Sequence, residues 1–224
     1  MKDIKFGNLK IGNDTAIINM GSATRCPSAE RQLCDLVDNR KCYALRDEGL
    51  YPQVLPYRDR QQEYWLNNSA EIIAFELLEV LSHKKAKIKF VRWSEAGDFH
   101  SAECVEKLIQ IAKLTPRLIH YTYTHRTDLL DTLIPRPKNL VIQVSTSSFE
   151  DAKTYAATGF NSFYTDTTLS IRGKKDTELQ TAHELATQLL KTKYGSKALI
   201  CKWDCSICSL CKVNAKKVIH ICLH

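Results

Sequence analysis

The chain has 224 residues, of which 44% are hydrophobic and 25% charged, and its formal net charge is +7. These proportions are typical of a globular protein with one core, and no apolar run approaches the roughly 18 residues of a membrane span. The N-terminal residues lack the apolar stretch of a signal peptide, so we expect a cytoplasmic protein that makes no membrane contact. In a reducing compartment, the nine cysteines favour metal binding over disulfide bonds.

The positive charge leaves a nucleic-acid partner open. The lysines are dispersed along the chain, however, and no combination of aromatic and basic residues is typical of a single-strand reader. A solvated basic surface is the simpler explanation of the charge.

The first 83 residues are predicted to form a strand pair, a cysteine-bearing loop and two helices. Asn13 and Asp14 separate two apolar runs and indicate a hairpin turn. Apolar residues at helical spacing follow Ser69, whose side chain suits the N-cap of a helix. We place the strands at 5–12 and 15–20, the loop at 26–42 and the helices at 53–66 and 69–83.

From residue 88 onward, predicted strands alternate with predicted helices. This alternation indicates right-handed βαβ crossovers and a parallel sheet. About six βα units can be counted, fewer than the eight of a closed barrel, which leaves a partial barrel or an open doubly wound sheet. We place the strands at 88–93, 117–124, 140–145, 162–166, 198–201 and 218–223, and the helices at 102–114, 127–133, 148–158 and 177–194.

Seven of the nine cysteines form two groups, each of which follows an apolar run. Thiolates are soft ligands that suit iron–sulfur clusters and zinc. The C-x2-C-x2-C run in the second group is the spacing of bacterial ferredoxins, whereas structural zinc sites usually use separated C-x2-C pairs. Iron–sulfur is therefore our prediction for the second group, with zinc as the alternative. The N-terminal group is Cys26, Cys34 and Cys42, and the C-terminal group is Cys201, Cys205, Cys208 and Cys211.

Five polar residues are predicted to line a ligand pocket, because ligands of parallel α/β folds lie at the carboxyl ends of the strands. Glu95 and Asp98 follow one strand, although Asp98 also suits the N-cap of the next helix. His125 and Arg126 follow the next strand and suit acid–base chemistry or an anionic substrate, with an ordinary surface turn as the alternative. Gln143 lies within an apolar strand and needs hydrogen bonds if it is buried.

Two further features point to one shared site at the strand ends. Gly97 permits a close approach of backbone or a positive φ in the acidic turn after the strand at 88–93. Both cysteine groups directly follow predicted strands, so we expect them to open onto the same edge of the sheet.

The chain resembles an uncharacterised phage family called gene product 88, and this resemblance implies a phage-encoded protein in the host cytoplasm. More distantly, it resembles radical S-adenosylmethionine (SAM) enzymes, which have a partial (β/α)6 barrel, three cluster cysteines after the first barrel strand and an acidic glycine turn after the second. Those enzymes usually space the cysteines as C-x3-C-x2-C, whereas both gaps here are seven residues. The family resemblance is carried by Cys26-Pro27-Ser28-Ala29, Cys34, Lys41-Cys42-Tyr43-Ala44, the segment from Arg92 to Gly97-Asp98-Phe99, Tyr121-Thr122-Tyr123-Thr124, Asp204-Cys205, Cys208, Cys211 and His224.

These resemblances imply an α/β fold with a partial (β/α)6 barrel that resembles radical SAM enzymes. The expected single domain over 1–224 has an N-terminal hairpin, a barrel within 1–197 and a cysteine-rich extension over 198–224. A [4Fe–4S] cluster on the N-terminal group would leave one iron open for a substrate, SAM or a small thiol. The function expected is a radical or Lewis-acid enzyme of unknown substrate. The alternative is a non-catalytic iron–sulfur or zinc protein that transfers electrons, senses redox state or binds a host protein or nucleic acid.

Overall fold

The computed structural model of the chain describes residues 4–7, 11–38, 41–82, 88–171 and 176–223, so the terminal His224 lies outside the described residues. The strands are β1 (Lys5–Phe6), β2 (Thr15–Ile18), β3 (Phe90–Trp93), β4 (Ile119–Thr124), β5 (Leu140–Thr146), β6 (Asn161–Ser170), β7 (Leu199–Ile200) and β8 (Val218–Leu223). The α-helices are α1 (Pro27–Glu30), α2 (Asp35–Asp38), α3 (Tyr43–Leu50), α4 (Val54–Asn67), α5 (Ala70–Ser82), α6 (Ala102–Leu114), α7 (Phe149–Ala157) and α8 (Asp176–Tyr194), and 3-10 helices cover Thr127–Leu133 and Leu210–Lys212.

One eight-stranded sheet organises the molecule, in the order β1-β2-β3-β4-β5-β6-β8-β7. Strands β1 and β2 are antiparallel, which confirms the predicted strand pair, and all the other neighbours are parallel. The pairing of Phe6 with Ala16 does not match a turn at Asn13 and Asp14, and residues 8–10 of the predicted first strand lie outside the described residues. Because β2 to β6 follow chain order, right-handed crossovers place their connecting helices on the same face of the sheet. The predicted alternation of strands and helices is therefore confirmed. The sheet is not closed into a barrel, and the partial barrel typical of radical SAM enzymes is not confirmed.

The last strand occupies a place that the sequence did not predict. Strand β8 lies between β6 and β7, so these two consecutive strands are not neighbours in the sheet. Five of the six β8 residues are buried, as befits an interior strand, whereas the two-residue β7 is short enough for an edge. Because β7 and β8 are parallel, the chain that leaves the end of β7 must run back along the sheet to reach the start of β8. We call the crossing residues, 201–217, the cysteine segment.

The two faces of the sheet are covered by different parts of the chain, because successive strand residues point to opposite faces. On one face, Trp93 and Ile142 pack with Leu77 of α5 and Leu108 of α6 in the main hydrophobic core. The cysteine segment lies on the opposite face, where it contacts side chains of β5 and β6.

The cysteine segment is fixed to its face of the sheet by side chains from several strands. Gln143 of β5 donates from Nε2 to the carbonyl oxygen of Cys211 at 3.0 Å. Asn161 of β6 donates from Nδ2 to the carbonyl oxygen of Val213 at 2.7 Å. The sheet is thus sandwiched between a helical layer and a layer without α-helix.

The loops that follow β2 and β3 touch at the carboxyl edge of the sheet. Gly97 has a φ of +75°, and a Cβ there would lie 2.6 Å from the backbone nitrogen of Gly21. Asn19 reinforces this contact, since its Oδ1 accepts a hydrogen bond from the backbone N–H of Ala96 at 2.9 Å. The predicted close approach at Gly97 is confirmed, and it fixes where the loop of the N-terminal cysteines begins.

Serine caps mark two of the predicted helix starts. The Ser148 hydroxyl accepts from the N–H of Asp151 at 3.2 Å, and the Ser69 hydroxyl accepts from the N–H of Ile72 at 3.4 Å.

The α3 helix was not predicted, because its exposed and half-buried residues have little apolar periodicity. Among the described residues, none of the helices has the length and apolar character to cross a membrane.

Candidate functional site

The N-terminal cysteine group lies at the starts of short helices beside the carboxyl edge of the sheet. Cys26 directly precedes α1 and Cys42 directly precedes α3, both with extended backbone. Burial, together with the nearby Asp98 carboxyl and Cys34 thiol, raises the pKa of Cys26 to about 12. Cys26 and Cys34 are therefore close enough to interact electrostatically.

Cys42 approaches the same turn from the other side. It packs against a small buried cluster formed by Ala23, Ala44 and Ala96. The backbone N–H of Cys26 in turn donates to the carbonyl oxygen of Ala23 at 3.3 Å. Cys26 and Cys42 thus both contact the turn that begins at Ala23.

A buried ion pair that the sequence did not single out supports this turn. Glu48 Oε1 accepts from the backbone N–H of Ala23 at 2.7 Å and from Arg58 Nη1 at 2.8 Å. The Glu48 and Arg58 side chains are 3% and 8% exposed, so removal of either one would leave the other as a buried charge without an ion-pair partner. Their spacing of ten residues on separate helices gives no local sequence signal.

Asp98 joins the N-terminal cysteine loop to the end of β4. Its Oδ2 accepts from the Ser28 hydroxyl at 2.6 Å and from the backbone N–H of His125 at 2.8 Å. Its Oδ1 accepts from the Thr124 hydroxyl at 2.7 Å and from its neighbour's backbone N–H at 2.8 Å. The alternative role as a helix cap is wrong, because Ser101 occupies the N-cap of α6. With four donors on one buried carboxylate, Asp98 positions the loop.

The predicted ligand-pocket residues have different surroundings. Arg126 is 2% exposed, and its guanidinium binds the Asp128 carboxylate at 2.8 Å and the carbonyl oxygens of Phe99 and His100. This arrangement stabilises the turn after β4. Glu95 is half-buried, and its backbone carbonyl oxygen accepts from the Tyr43 hydroxyl at 2.6 Å. Neither contact involves a ligand, and the pocket role of these residues stays a prediction.

His125 lines a cavity of about 250 Å³ at the carboxyl ends of β4, β5 and β6. Burial lowers the pKa of His125, although the carboxylates of Asp98 and Asp35 oppose that shift. The imidazole is therefore neutral at neutral pH and can donate and accept one hydrogen bond each. Leu33 and Asp35, which flank Cys34, also line this cavity. The remaining lining residues are Gln32, Leu36, Thr127, Ser145, Thr146, Ser147, Ser148, Asp151, Tyr155 and Thr165.

The C-terminal cysteines surround one small cavity on the opposite face of the sheet from the helices. All four line a space of about 20 Å³, together with aromatic residues of β4 and the cysteine segment. The pKa of Cys211 is raised to about 12, chiefly by burial and also by the thiols of Cys201, Cys205 and Cys208. The Tyr123 hydroxyl, which donates to the sulfur of Cys211, opposes this shift. The four sulfurs thus share one electrostatic environment.

The cysteine side chains are near one another without forming a ligand cage. Within the part of the chain that the structure describes, no group of three or more His, Cys, Asp or Glu side chains has an arrangement able to hold a metal ion. The backbone around the cavity is nevertheless well fixed. Lys212, 5% exposed, donates from Nζ to the carbonyl oxygen of Cys205 at 3.0 Å and lies 4.2 Å from the centroid of the Phe90 ring.

A row of tyrosines and one arginine lies between the two cysteine groups. The guanidinium of Arg92 is 5.2 Å from the ring centroid of Tyr123, whose hydroxyl binds Cys211. Arg92 also interacts electrostatically with Tyr43, which directly follows Cys42. Arg92 was not among the predicted ligand-pocket residues, although a charged residue within the apolar strand β3 is a visible signal. Both predicted sites are thus connected through the face that carries the cysteine segment.

Fold and site together define an α/β protein with an open, mostly parallel sheet and two groups of cysteines. The family described as gene product 88 matches residues 5–215, and the chain belongs to this family. The predicted family is confirmed, whereas no comparison supports the resemblance to radical SAM enzymes. Among curated proteins and among solved structures, none matches the chain.

Proposed function

We propose that this chain is an iron–sulfur protein with a cluster on Cys201, Cys205, Cys208 and Cys211. The observation that carries the proposal is that all four side chains line one cavity in a fixed backbone segment. Neutral thiols crowded in this way cannot all ionise, because each thiolate disfavours the next. A bound cation removes that repulsion and makes the thiolates stable, so the donor set suits a metal centre.

The size of the cavity favours a single zinc ion as the second candidate. A space of about 20 Å³ is little larger than the roughly 10–15 Å³ that one water molecule needs. Four thiolates around zinc form a common structural site. The C-x2-C-x2-C spacing favours iron–sulfur, and the metal content decides between the two.

For the N-terminal group, we propose a [4Fe–4S] cluster on Cys26, Cys34 and Cys42. When bound, such a cluster would supply one iron without a protein ligand, as a Lewis acid or an electron donor. The residues on either side of Cys34 line the cavity of about 250 Å³, which gives a substrate, SAM or a small thiol a place beside the site. His125 in this cavity is a neutral acid–base group.

This cavity supports an enzyme over a purely structural protein, since electron transfer or redox sensing needs no substrate pocket. Enzymatic activity is tested separately from the metal centres. Anaerobically purified protein is mixed with SAM and dithionite, and 5′-deoxyadenosine is quantified. Absence of both SAM binding and this product removes the radical mechanism and leaves the metal centres untouched.

The metal centres are tested by iron, sulfide and zinc content per chain and by Mössbauer spectra of protein purified without oxygen. We expect Cys205→Ala to remove the C-terminal centre and Cys26→Ala the N-terminal one. Cys104→Ala is the matched control, because Cys104 is buried within the main core, away from both groups. Wild-type protein that contains neither iron nor zinc would contradict the proposal, and zinc without iron would replace iron–sulfur by zinc.

A further inference from the structure

We propose that the sheet face between the two cysteine groups binds a small oxyanion that itself carries a hydrogen-bond donor. Arg92 supplies the cation, Tyr121 a hydroxyl donor and Gln143 an amide acceptor. This site lies beside the C-terminal cysteines, since Tyr121 also lines their cavity, but its ligand is distinct from their metal.

The first observation is a set of buried polar atoms with no hydrogen-bond partner. These atoms are Nε of Arg92, the hydroxyl oxygen of Tyr121 and Oε1 of Gln143. Tyr121 is 1% exposed and Gln143 is fully buried. Buried polar atoms in folded proteins are nearly always hydrogen-bonded, since each unpaired one costs roughly 1–3 kcal/mol. Three such atoms therefore indicate a missing partner.

The second observation is that these residues are neighbours on one face of the sheet. Arg92 on β3 is the register partner of Tyr121 on β4, and Gln143 on β5 is the register partner of Tyr123, two residues farther along β4. Adjacent strands lie about 4.8 Å apart, and residues two apart on a strand share a face. Arg92 and Gln143 are thus two strands apart, about 10 Å, and a ligand that contacts all three side chains would lie over β4 between them.

The third observation is the charge of this face. Arginine is always protonated in proteins, and none of the ion pairs among the described residues includes Arg92, although the carboxyl group of Glu95 is near enough to act on it electrostatically. The ring of Tyr123 faces the guanidinium, but a cation–π contact leaves the N–H donors in its plane free to bind. Lys212 adds a second buried positive charge beside Phe90, two residues before Arg92. An anion is the ligand that these charges favour.

The ligand class follows from the donors and acceptors. A guanidinium and a phenol hydroxyl suit the oxygens of a carboxylate or phosphate. Gln143 already donates from Nε2 to the carbonyl oxygen of Cys211, so its Oε1 can only accept. The anion must therefore bring its own O–H or N–H group. Monohydrogen and dihydrogen phosphate and hydroxycarboxylates such as glycolate satisfy this requirement, whereas sulfate and acetate do not.

The proposal is tested by calorimetric titration and thermal unfolding of the whole protein with four probes: inorganic phosphate, glycolate, sulfate and acetate. We expect saturable binding of phosphate and glycolate, each at least tenfold tighter than sulfate and acetate respectively. Binding should raise the unfolding temperature in proportion to the logarithm of the probe concentration above Kd.

Substitutions identify the site. Arg92→Met should weaken phosphate binding at least tenfold, and Tyr121→Phe should also weaken it. Arg117→Met removes the same charge from an exposed turn and should leave binding unchanged. Without ligand, Arg92→Met should keep the wild-type far-ultraviolet circular dichroism spectrum and a cooperative unfolding transition, so its loss of binding cannot be attributed to misfolding.

Three results would overturn the proposal. One is that the wild-type protein binds none of the four probes, as expected if ordered water fills the space. Another is equal loss of binding in Arg92→Met and Arg117→Met. The last is that sulfate binds as tightly as phosphate, which would show that Gln143 accepts no hydrogen bond from the ligand. Metal content is measured in the same samples, so a failure here is distinguishable from a failure of the metal proposal.

Discussion

Two charged side chains near the carboxyl edge have opposite surroundings, although both belong to strand ends. Asp98 is 3% exposed and accepts hydrogen bonds from the side chains of Ser28 and Thr124 and from two backbone N–H groups. The guanidinium of Arg92 has a buried Nε with no partner. A charged group whose hydrogen-bonding atoms all have protein partners supports the structure, whereas one with an unpaired atom can bind a ligand. Hydrogen-bond saturation therefore separates the framework of the site from its binding groups.

Asp166 gives the molecule an acid-sensitive contact at the residue scale. Its carboxylate is fully buried and accepts from Lys193 Nζ and from the Tyr194 hydroxyl, each at 2.8 Å. Burial alone would raise the pKa of Asp166, but hydrogen bonds from Lys193, Thr168 and Tyr194 lower it to about 2. The folded state therefore binds this proton more weakly than the unfolded chain does.

The sign of the pH dependence follows from this depressed pKa. The stabilisation is complete above the unfolded pKa of about 4 and is lost as the pH falls toward 2. We expect a loss of roughly 1–2 kcal/mol in the free energy of unfolding, because the half-exposed Lys193 is partly screened by solvent. Urea unfolding at intervals from pH 5 to pH 2 measures it. Asp166→Asn should flatten the profile in this window, and an unchanged slope would contradict the assignment.

At the scale of elements, the contact between the loops after β2 and β3 depends on Gly97. Gly97→Ala combines a positive φ, which costs an L-residue roughly 1–3 kcal/mol, with a Cβ 2.6 Å from backbone of Gly21. We expect the free energy of unfolding to fall by at least about 2 kcal/mol, as measured by chemical denaturation.

The control for this prediction is Gly49→Ala in helix α3. A Cβ at Gly49 meets no atom within 4 Å, so alanine there should be neutral or stabilising by up to about 1 kcal/mol. If both variants are equally stable, the two loops are not held together by the close approach at Gly97.

Local patterns predicted the elements better than their arrangement. The helix at 102–114 matches α6 because its apolar residues recur at helical spacing and Ser101 precedes it. The position of β8 between β6 and β7 could not be predicted, because strand order is set by contacts distant in sequence. For the same reason, the cysteine spacing indicated a metal site but not that Cys211 would lie against β4 and β5. The lack of a hydrogen-bond partner at Nε of Arg92 is visible only once its neighbours are known.

At the scale of the whole molecule, the cysteine segment replaces a helical layer on one face of the sheet. Without α-helix, this layer depends on a few anchors, among them Gln143, Asn161 and Lys212. A metal bound by its four thiolates would cross-link the segment and restrict its unfolded conformations. Metal binding and the integrity of this layer are therefore expected to be linked.

We expect removal of the C-terminal metal, by Cys205→Ala or by a chelator, to lower the free energy of unfolding by about 3 kcal/mol or more. Amide hydrogen exchange should accelerate in β7, β8 and the cysteine segment before it does in β3 to β5, because the main core on the helical face stays packed. Cys104→Ala should keep its metal and the wild-type order of exchange. Uniform acceleration across the whole sheet would show that the segment is not a separate layer.

The insertion of β8 also sets an order of assembly. Strand β7 has β8 as its sheet neighbour, and β8 is made after the entire cysteine segment. During synthesis, β2 to β6 can pair in the order in which they emerge, whereas β7 must wait until the residues beyond the last cysteine have been translated. The thiols are thus still accessible when most of the sheet has formed. If the proposed metal is bound, its loading and the docking of the final strand would become a single late event, and the supply of metal, not the ribosome, would set the pace of maturation.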